Sequence, residues 1–281
     1  MASLRAWSWI IVLAFFFGCS GGDEPAGNDT AVSPVKPPEP SRVDEADLVA
    51  LRAAMDADPD NPIAIRPLAI ALFQVGQREQ AVELFERAVE IDANVRSLLD
   101  LALGYTKLSR YPEAEATYGR LLEISPRDPI ALHNLGNVAS TVGDTDRGIE
   151  LYRQAIGIKP DYLLAYAHLA DALKTAGRYR EAYTTYGKVL QLEPTTGVEL
   201  EVSDDALYKM ATLDITMGAH QRAVEMLELL IEENPDHPSA HYAYGQALLQ
   251  LGRPDEAQRE FETHMQILAE IEPSTPMAAG Q

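Results

Sequence analysis

The sequence predicts an all-α protein, an α-solenoid of about six helix-turn-helix repeats, and regular columns of residues support this prediction. In the first column a small residue is followed four positions later by a bulky one, at spacings of 33, 34, 34, 41 and 34 residues. Residues four apart share one face of a helix. The small residues are Ala81, Ala114, Gly148, Ala182, Ala223 and Ala257, and the bulky ones are Phe85, Tyr118, Tyr152, Tyr186, Leu227 and Phe261.

A second column lies upstream of the first and pairs a larger residue with a small one, which lets two helix backbones approach closely. The pairs are Leu68-Ala69, Leu101-Ala102, Leu135-Gly136, Leu169-Ala170, Met210-Ala211 and Tyr244-Gly245. Between the columns a glycine, or Ser109 in the second repeat, can end one helix before the next begins. These glycines are Gly76, Gly143, Gly177, Gly218 and Gly252. Each repeat is therefore predicted as a helix, a tight turn and a second helix.

This pattern resembles the tetratricopeptide repeat, with copies at about 62–94, 95–128, 129–162, 163–203, 204–237 and 238–271. The resemblance implies a right-handed solenoid in which the first helix of each repeat lines a concave groove. We expect Pro67 to delay or bend the first helix of the array, because it lies inside the first turn. We expect the extra residues before the fifth repeat, within TTGVELEVSD, to form a longer loop.

The first residues, 1–18, are predicted to be a lipoprotein signal peptide. Arg5 precedes an apolar run shorter than the roughly 20 residues that span a membrane, and Gly18 precedes Cys19, the single cysteine. The stretch resembles a bacterial lipoprotein signal, which implies cleavage before Cys19 and attachment of lipid, palmitate included, to that residue. In such signals Ser20 favours the outer membrane, with the protein facing the periplasm. The alternative is an ordinary signal peptide with an accidental cysteine.

Three further segments flank the repeats. Residues 19–43 are rich in Gly, Pro, Ser and acidic residues, cannot bury a core, and are predicted to be a lipid-anchored linker. Residues 44–61 are predicted to hold an N-terminal capping helix, because DEADLVALRAAMDAD matches the second helix of an incomplete repeat. Residues 272–281 are short and proline-rich, and are predicted to be a flexible tail.

No arrangement of residues in the sequence points to catalysis. The six histidines include no pair at metal-ligand spacing except His237 and His241, which flank a helix start. The sequence shows no phosphate-binding glycine loop, nucleophile elbow or metalloprotease helix. We therefore predict no enzymatic activity, no cofactor and no metal site.

The net charge narrows the classes of partner. With 43 acidic and 23 basic residues the formal charge is −20, which disfavours nucleic acid and anionic lipid headgroups. The acidity itself has two interpretations, which are solubility and a dedicated basic partner.

We expect a protein or peptide ligand to bind along the first helices. Residues four and three apart lie on one face of a helix. Counted from the larger residue of the second column, this spacing selects the positions two before, two after and five after it, and we add an adjacent residue in some repeats. The predicted partner-binding residues are His133, Asn134, Asn137, His168, Asp171, Lys174, Tyr208, Lys209, Thr212, Tyr242 and Gln246. Such a mixed strip can hydrogen-bond an extended peptide. The alternative is that these are polar residues tolerated on an exposed face.

The last helix carries an apolar stripe, Phe261, Met265, Leu268 and Ile271, which an internal repeat would cover with the next helix. We expect Leu268 and Ile271 to contact a partner or a second copy of the chain, the alternative being a frayed terminus. Two functions follow from the whole sequence. The first is a membrane-anchored scaffold that binds other cell-envelope proteins through its groove and assists assembly of an envelope machine. The second is an accessory or regulatory subunit of a separate envelope enzyme, with no catalysis of its own.

Overall fold

The computed structural model describes residues 43–192 and 197–271, in which it contains thirteen α-helices and no strand. None of these helices is long and apolar enough to cross a membrane. They are α1 Glu45–Ala57, α2 Pro62–Gln74, α3 Arg78–Ile91, α4 Val95–Lys107, α5 Tyr111–Ile124, α6 Pro129–Thr141, α7 Thr145–Ile158, α8 Leu163–Thr175, α9 Tyr179–Val189, α10 Gly197–Thr216, α11 His220–Glu233, α12 Pro238–Gln250 and α13 Pro254–Ile271. The predicted all-α fold of helix-turn-helix repeats is confirmed. The predicted signal peptide 1–18, residues 19–42 of the predicted linker and the predicted tail 272–281 lie outside the described residues.

The described chain divides into two compact units, 43–178 and 179–271. In the first unit, α1 to α8, each helix packs against the next along the chain, and α6 also contacts α4 and α8. First helices of successive repeats therefore lie side by side. Leucines and aromatic rings from the first three repeats form one buried core, which includes Leu68, Phe85, Leu101, Tyr118 and Leu135.

Helix α1 lies at the start of the first unit and has a reciprocal cap. The backbone N–H of Asp47 donates to Asp44 Oδ1 at 2.8 Å, and the N–H of Asp44 donates to Asp47 Oδ2 at 3.1 Å. These two bonds satisfy donors that the first turn of a helix otherwise leaves unpaired. Leu48, Leu51 and Met55 pack against the core of the first unit, so α1 covers the apolar face of α2.

The second unit, α9 to α13, repeats this arrangement and contains a buried carboxylate. Asp214 in α10 is fully buried, and it accepts hydrogen bonds from Arg222 of α11 at 2.5 Å and from the Tyr183 hydroxyl of α9 at 3.3 Å. Burial raises the pKa of Asp214, while Arg222 and Tyr183 act in the opposite direction. The carboxylate therefore joins three consecutive helices of this unit.

The turns within the repeats share one backbone conformation. Five glycines have φ between +73° and +92°, and in the second repeat Ser109 takes the place of the glycine, with φ of 58°. In each turn the next residue donates its N–H to a carbonyl five residues earlier, at 2.8 to 3.0 Å. This left-handed helix end has no steric cost for glycine, so the sequence uses it at five of six turns.

The two helices of the third repeat approach each other most closely at glycine. A Cβ atom on Gly136 would lie 2.7 Å from Cε1 of Tyr152, whose ring is buried. A Cβ on Gly148 would meet Ser140 Oγ at 2.1 Å and the carbonyl oxygen of Gly136 at 3.2 Å. Gly148, where the other repeats have alanine, therefore lies opposite Gly136 on the neighbouring helix.

The structure corrects two expectations about local structure, the longer loop before the fifth repeat and the delay of the first repeat helix at Pro67. Helix α10 begins at Gly197, so most of the segment TTGVELEVSD is helical rather than loop. No proline or further glycine follows Gly197 before Thr216, and the extra residues therefore extend the helix backwards. Helix α2 is not delayed by Pro67, since it begins at Pro62 behind the N-cap Asn61 and continues through Pro67 to Gln74.

A matched pair of substitutions tests the contact between Gly136 and Tyr152. Gly119→Ala, in α5 where an added Cβ meets nothing within 4 Å, should raise the free energy of unfolding by up to about 1 kcal/mol through helix propensity. Gly136→Ala should instead lower it by about 1 to 3 kcal/mol, because the added Cβ would lie 2.7 Å from the buried ring of Tyr152 and would force the ring or the helices to shift. Urea denaturation followed by circular dichroism measures both. Equal effects of the two substitutions would show that the helices do not require glycine at position 136.

Candidate functional site

Neighbouring first helices in the first unit are linked by pairs of polar side chains in one register. Arg66 of α2 donates two hydrogen bonds to the carboxylate of Asp100 in α4. One repeat pair further on, His133 Nε2 of α6 lies 2.7 Å from His168 Nδ1 of α8. In each case the first partner lies two positions before the larger residue of the second column in its own repeat. The second partner lies one position before the corresponding residue of the next repeat.

The imidazole rings of His133 and His168 share a plane. Their planes differ by 5° and their centroids are 4.9 Å apart, which fits an in-plane hydrogen bond between the facing nitrogens rather than a face-to-face stack. The Tyr162 hydroxyl lies 3.2 Å from the other nitrogen, Nδ1, of His133. If Tyr162 donates to Nδ1, then Nε2–H of His133 donates to His168, and the opposite tautomer reverses both bonds.

Of the predicted contact residues, His133 lies beneath the surface. It is only 4% exposed, and burial lowers its pKa to about 3, with the adjacent His168 acting in the same direction and Asn134 opposing. His133 is therefore neutral at pH 7 and positions His168, which is half-buried. Burial of this kind was not visible in the sequence, because the rings that contact His133 belong to Tyr152, Tyr162 and His168, which lie further along the chain.

Asn137 also serves the packing of its own repeat. Its Oδ1 accepts a hydrogen bond of 2.8 Å from the Tyr152 hydroxyl, which also lies 3.4 Å from Ser140 Oγ. Burial raises the pKa of Tyr152 to about 12, and the charge of Asp171 adds to this while the bond to Ser140 opposes it. The Tyr152 hydroxyl is therefore protonated at neutral pH and acts as a donor.

These side chains surround a small pocket of about 140 Å³ between α6, α7 and α8. Six of the seven lining residues carry a hydroxyl, imidazole or carboxylate group and none is a lysine or arginine, although the surface that they turn to the pocket is mainly apolar. It is lined by Ser140, Thr145, Tyr152, His168, Asp171, Ala172 and Thr175. Its outline suits one side chain of a bound peptide rather than a drug-sized ligand, which needs about 300 Å³ or more.

Sequence reasoning found only part of this pocket. His168 and Asp171 were predicted contact residues, and Lys174 lies half-buried on the same helix without lining the pocket. Thr175 was missed although it stands four residues after Asp171, on the same helix face. Tyr152 was missed for a different reason, because its column indicated a core residue and gave no direction for its hydroxyl.

The remaining predicted residues lie in the second unit. Lys209 Nζ is 2.6 Å from Asp205 Oδ2 and lies 5.9 Å from the centroid of the Tyr186 ring. The Thr212 hydroxyl donates to the backbone carbonyl of Lys209 at 2.8 Å. The Tyr208 ring lies 5.5 Å from that of His237, and burial raises the pKa of Tyr208.

Tyr242 and Gln246 are the exposed members of the predicted set on α12. The Tyr242 ring contacts Phe261 and His264 of α13, at centroid distances of 5.6 and 5.2 Å. Six of the predicted residues thus lie in the first unit and five in the second.

The histidine pair considered for a metal site has ordinary structural contacts. His237 is the N-cap of α12, where its Nδ1 accepts from the backbone N–H of Ala240 at 3.1 Å. His241 is buried, with Nδ1 2.7 Å from Glu260 and Nε2 2.9 Å from the carbonyl oxygen of Pro235. Within residues 43–192 and 197–271 no three His, Cys, Asp or Glu side chains cluster as metal ligands do.

Curated proteins similar to this chain match it over only a part of their own length. The small glutamine-rich tetratricopeptide repeat-containing protein 2 of Mycosarcoma maydis is 34% identical over 88 residues, which is 31% of this chain and 25% of that protein. The peroxisomal targeting signal receptor of Eremothecium gossypii is 29% identical over 181 residues, 63% of this chain and 30% of that protein. The chain spans less than a third of the length of the curated relatives it matches.

Solved structures with the same fold cover most of the described residues. MamA superposes with a TM-score of 0.56 at 21% identity, over 62% of this chain and 98% of MamA. YrrB, described as a TPR protein with an unusual peptide-binding site, superposes with a TM-score of 0.53 at 20% identity, over 69% of this chain and 97% of YrrB. At these identities the likeness shows the fold alone.

Two family models, both described as tetratricopeptide repeat, match the chain. One covers residues 41–102, 141–211 and 214–270, and the other covers residues 99–162. Together with the repeated turns and the close helix pairs, these matches identify the architecture as that of a scaffold for protein–protein interaction. The chain belongs to the tetratricopeptide repeat family.

Proposed function

We propose that this chain is a membrane-anchored scaffold that binds other cell-envelope proteins through the exposed faces of its first helices. The observation that carries the proposal is the pocket between α6, α7 and α8. Its lining offers several hydroxyl groups, the half-buried His168 and the carboxylate of Asp171 at one point on the surface. Polar groups gathered around a small opening can fix the register of a bound segment.

The proposed ligand is an extended peptide segment of a partner protein. One side chain of the segment would enter the pocket and hydrogen-bond to Thr175, Ser140 or Asp171, while its backbone would bond to amide and hydroxyl groups along the first helices. The description of YrrB as peptide-binding supports this mode for the fold. Binding in the pocket requires no change of protonation in these two residues, because Tyr152 is protonated and His133 is neutral at pH 7.

A charge reversal in the pocket tests the proposal. Asp171→Arg should reduce the amount of protein crosslinked to the chain in intact cells roughly tenfold, since a central contact residue contributes about 1 to 2 kcal/mol to the free energy of binding. Glu150→Arg, the same change at an exposed position of α7, is the control and should leave the crosslinked set unchanged. Circular dichroism verifies that both variants fold. An unchanged set with Asp171→Arg would contradict binding at the pocket.

The anchoring part of the proposal rests on the sequence around Cys19. We propose that Cys19 carries lipid, that residues 19–43 tether the repeats, and that the protein lies at the outer membrane facing the periplasm. In this arrangement the repeats are held near other envelope proteins, where they could assist assembly of an envelope machine.

Labelling with a fatty-acid probe tests the anchor. The wild type should take up the label, whereas Cys19→Ala should take up none and should keep residues 1–18, because the modified thiol is absent. Ser20→Ala, a neighbouring substitution that keeps the cysteine, should still be labelled. Absence of label from the wild type would refute the lipid anchor and leave the pocket proposal untouched.

A further inference from the structure

Helix α13 exposes apolar side chains whose counterparts in earlier repeats are covered. Met265 stands eight residues after Ala257 and is 62% exposed. The residues at the same position of α3, α5, α7 and α11 are buried or half-buried, and they are Val89, Leu122, Ile156 and Ile231. In those repeats the second helix packs against the first helix of the following repeat, and no described helix follows α13.

The exposed region is larger than one side chain. Helix α13 has 18 residues, against 14 in each of the four second helices compared above, and its additional turn carries Leu268 and Ile271. These two are 38% and 61% exposed, and Tyr242 of α12, 45% exposed, extends the surface through its ring contact with Phe261. We call this surface, Tyr242, Phe261, Met265, Leu268 and Ile271, the end face.

The repeat geometry indicates what shape fits the end face. At the junctions from α3 to α4, α5 to α6, α7 to α8 and α11 to α12, the equivalent face of the second helix is covered by one amphipathic helix. The end face shares the step of four from Phe261 to Met265 with those helices, and Leu268 and Ile271 continue the apolar stripe by steps of three along the additional turn. A helix supplied by another molecule can therefore occupy the place of a following first helix.

The charge around the end face indicates the chemistry of that helix. Helix α13 contains five carboxylates, Asp255, Glu256, Glu260, Glu262 and Glu270, and one arginine, Arg259. Glu262 and Glu270 are exposed beside the apolar stripe. A second copy of the chain would bring the same carboxylates together across a two-fold contact, and each copy has a formal charge of −20.

We propose that the end face binds an amphipathic helix of a partner protein, with apolar residues on one side and lysine or arginine along its margins. This surface is separate from the pocket at Asp171 and belongs to the other unit of the chain. It provides a second binding site, so a failure of pocket binding would leave the end-face proposal standing, and the reverse also holds.

The test uses the full chain and two synthetic helical peptides. Both peptides have leucines on one face, and their other face carries lysines in one peptide and glutamates in the other. Fluorescence anisotropy should give at least about tenfold tighter binding of the lysine peptide, with an affinity that falls as salt rises. Equal binding of the two peptides would overturn the proposal.

Substitutions locate the binding surface. Met265→Glu with Leu268→Glu should weaken binding of the lysine peptide at least about tenfold, because two central apolar contacts are lost. Val49→Glu, at a 64% exposed apolar position of α1, should leave the affinity unchanged. A photo-crosslinker on the lysine peptide should label residues 258–271 of the unsubstituted chain, which tests the site without relying on a variant. Labelling elsewhere, or unaltered affinity in the double variant, would refute it.

Two other occupants have distinct signatures. A mass by light scattering that doubles for the wild type but not for the double variant would assign the end face to a second copy. A tenfold gain in peptide affinity after removal of residues 272–281 would assign it to the chain's own last residues. Either result would overturn the proposal of a basic partner helix.

Discussion

The close approach of two helices inside each repeat is the constraint on which the rest of the structure depends. A small residue on the first helix faces a bulky side chain on the second, and at Gly136 the space is so limited that a Cβ would lie 2.7 Å from Tyr152. Because this contact fixes which face of the first helix is buried, it also fixes which face is exposed. Gly245 shows the same arrangement against Phe261, where an added Cβ would lie 2.5 Å from the ring.

Much of the fold could be predicted from the sequence, because the interactions that define a repeat are local. The small and bulky columns lie within one helix pair, and the turn glycines adopt the left-handed conformation that their position requires. Spacing alone could not give the conformation of the extra residues before the fifth repeat. A count shows that residues are added, but only the absence of helix breakers after Gly197 shows that they lengthen α10.

The candidate site was less predictable, since its geometry comes from contacts between repeats. The in-plane hydrogen bond between His133 and His168 joins residues 35 apart, and it converts a predicted surface residue into a buried support. Tyr152 lines the pocket, although its column indicated only core packing. The uncovered stripe on α13 was visible in the sequence, but its extension to Tyr242 depends on the packing of α12 against α13. The repeated pattern therefore predicts which helix faces are exposed, whereas the candidate binding sites depend on residues that differ between repeats.

A double-mutant cycle at Gly136 and Tyr152 tests the central constraint most directly. Leucine occupies the Tyr152 position in the fifth repeat, at Leu227, and the corresponding small residue there is Ala211 rather than glycine. The free energy of unfolding is measured for Gly136→Ala, for Tyr152→Leu and for both together. If the ring is what excludes a larger residue, Gly136→Ala should cost at least about 1 kcal/mol less when Tyr152 is already leucine. Effects that add within about 0.5 kcal/mol would contradict the account, because the glycine and the ring would then act independently.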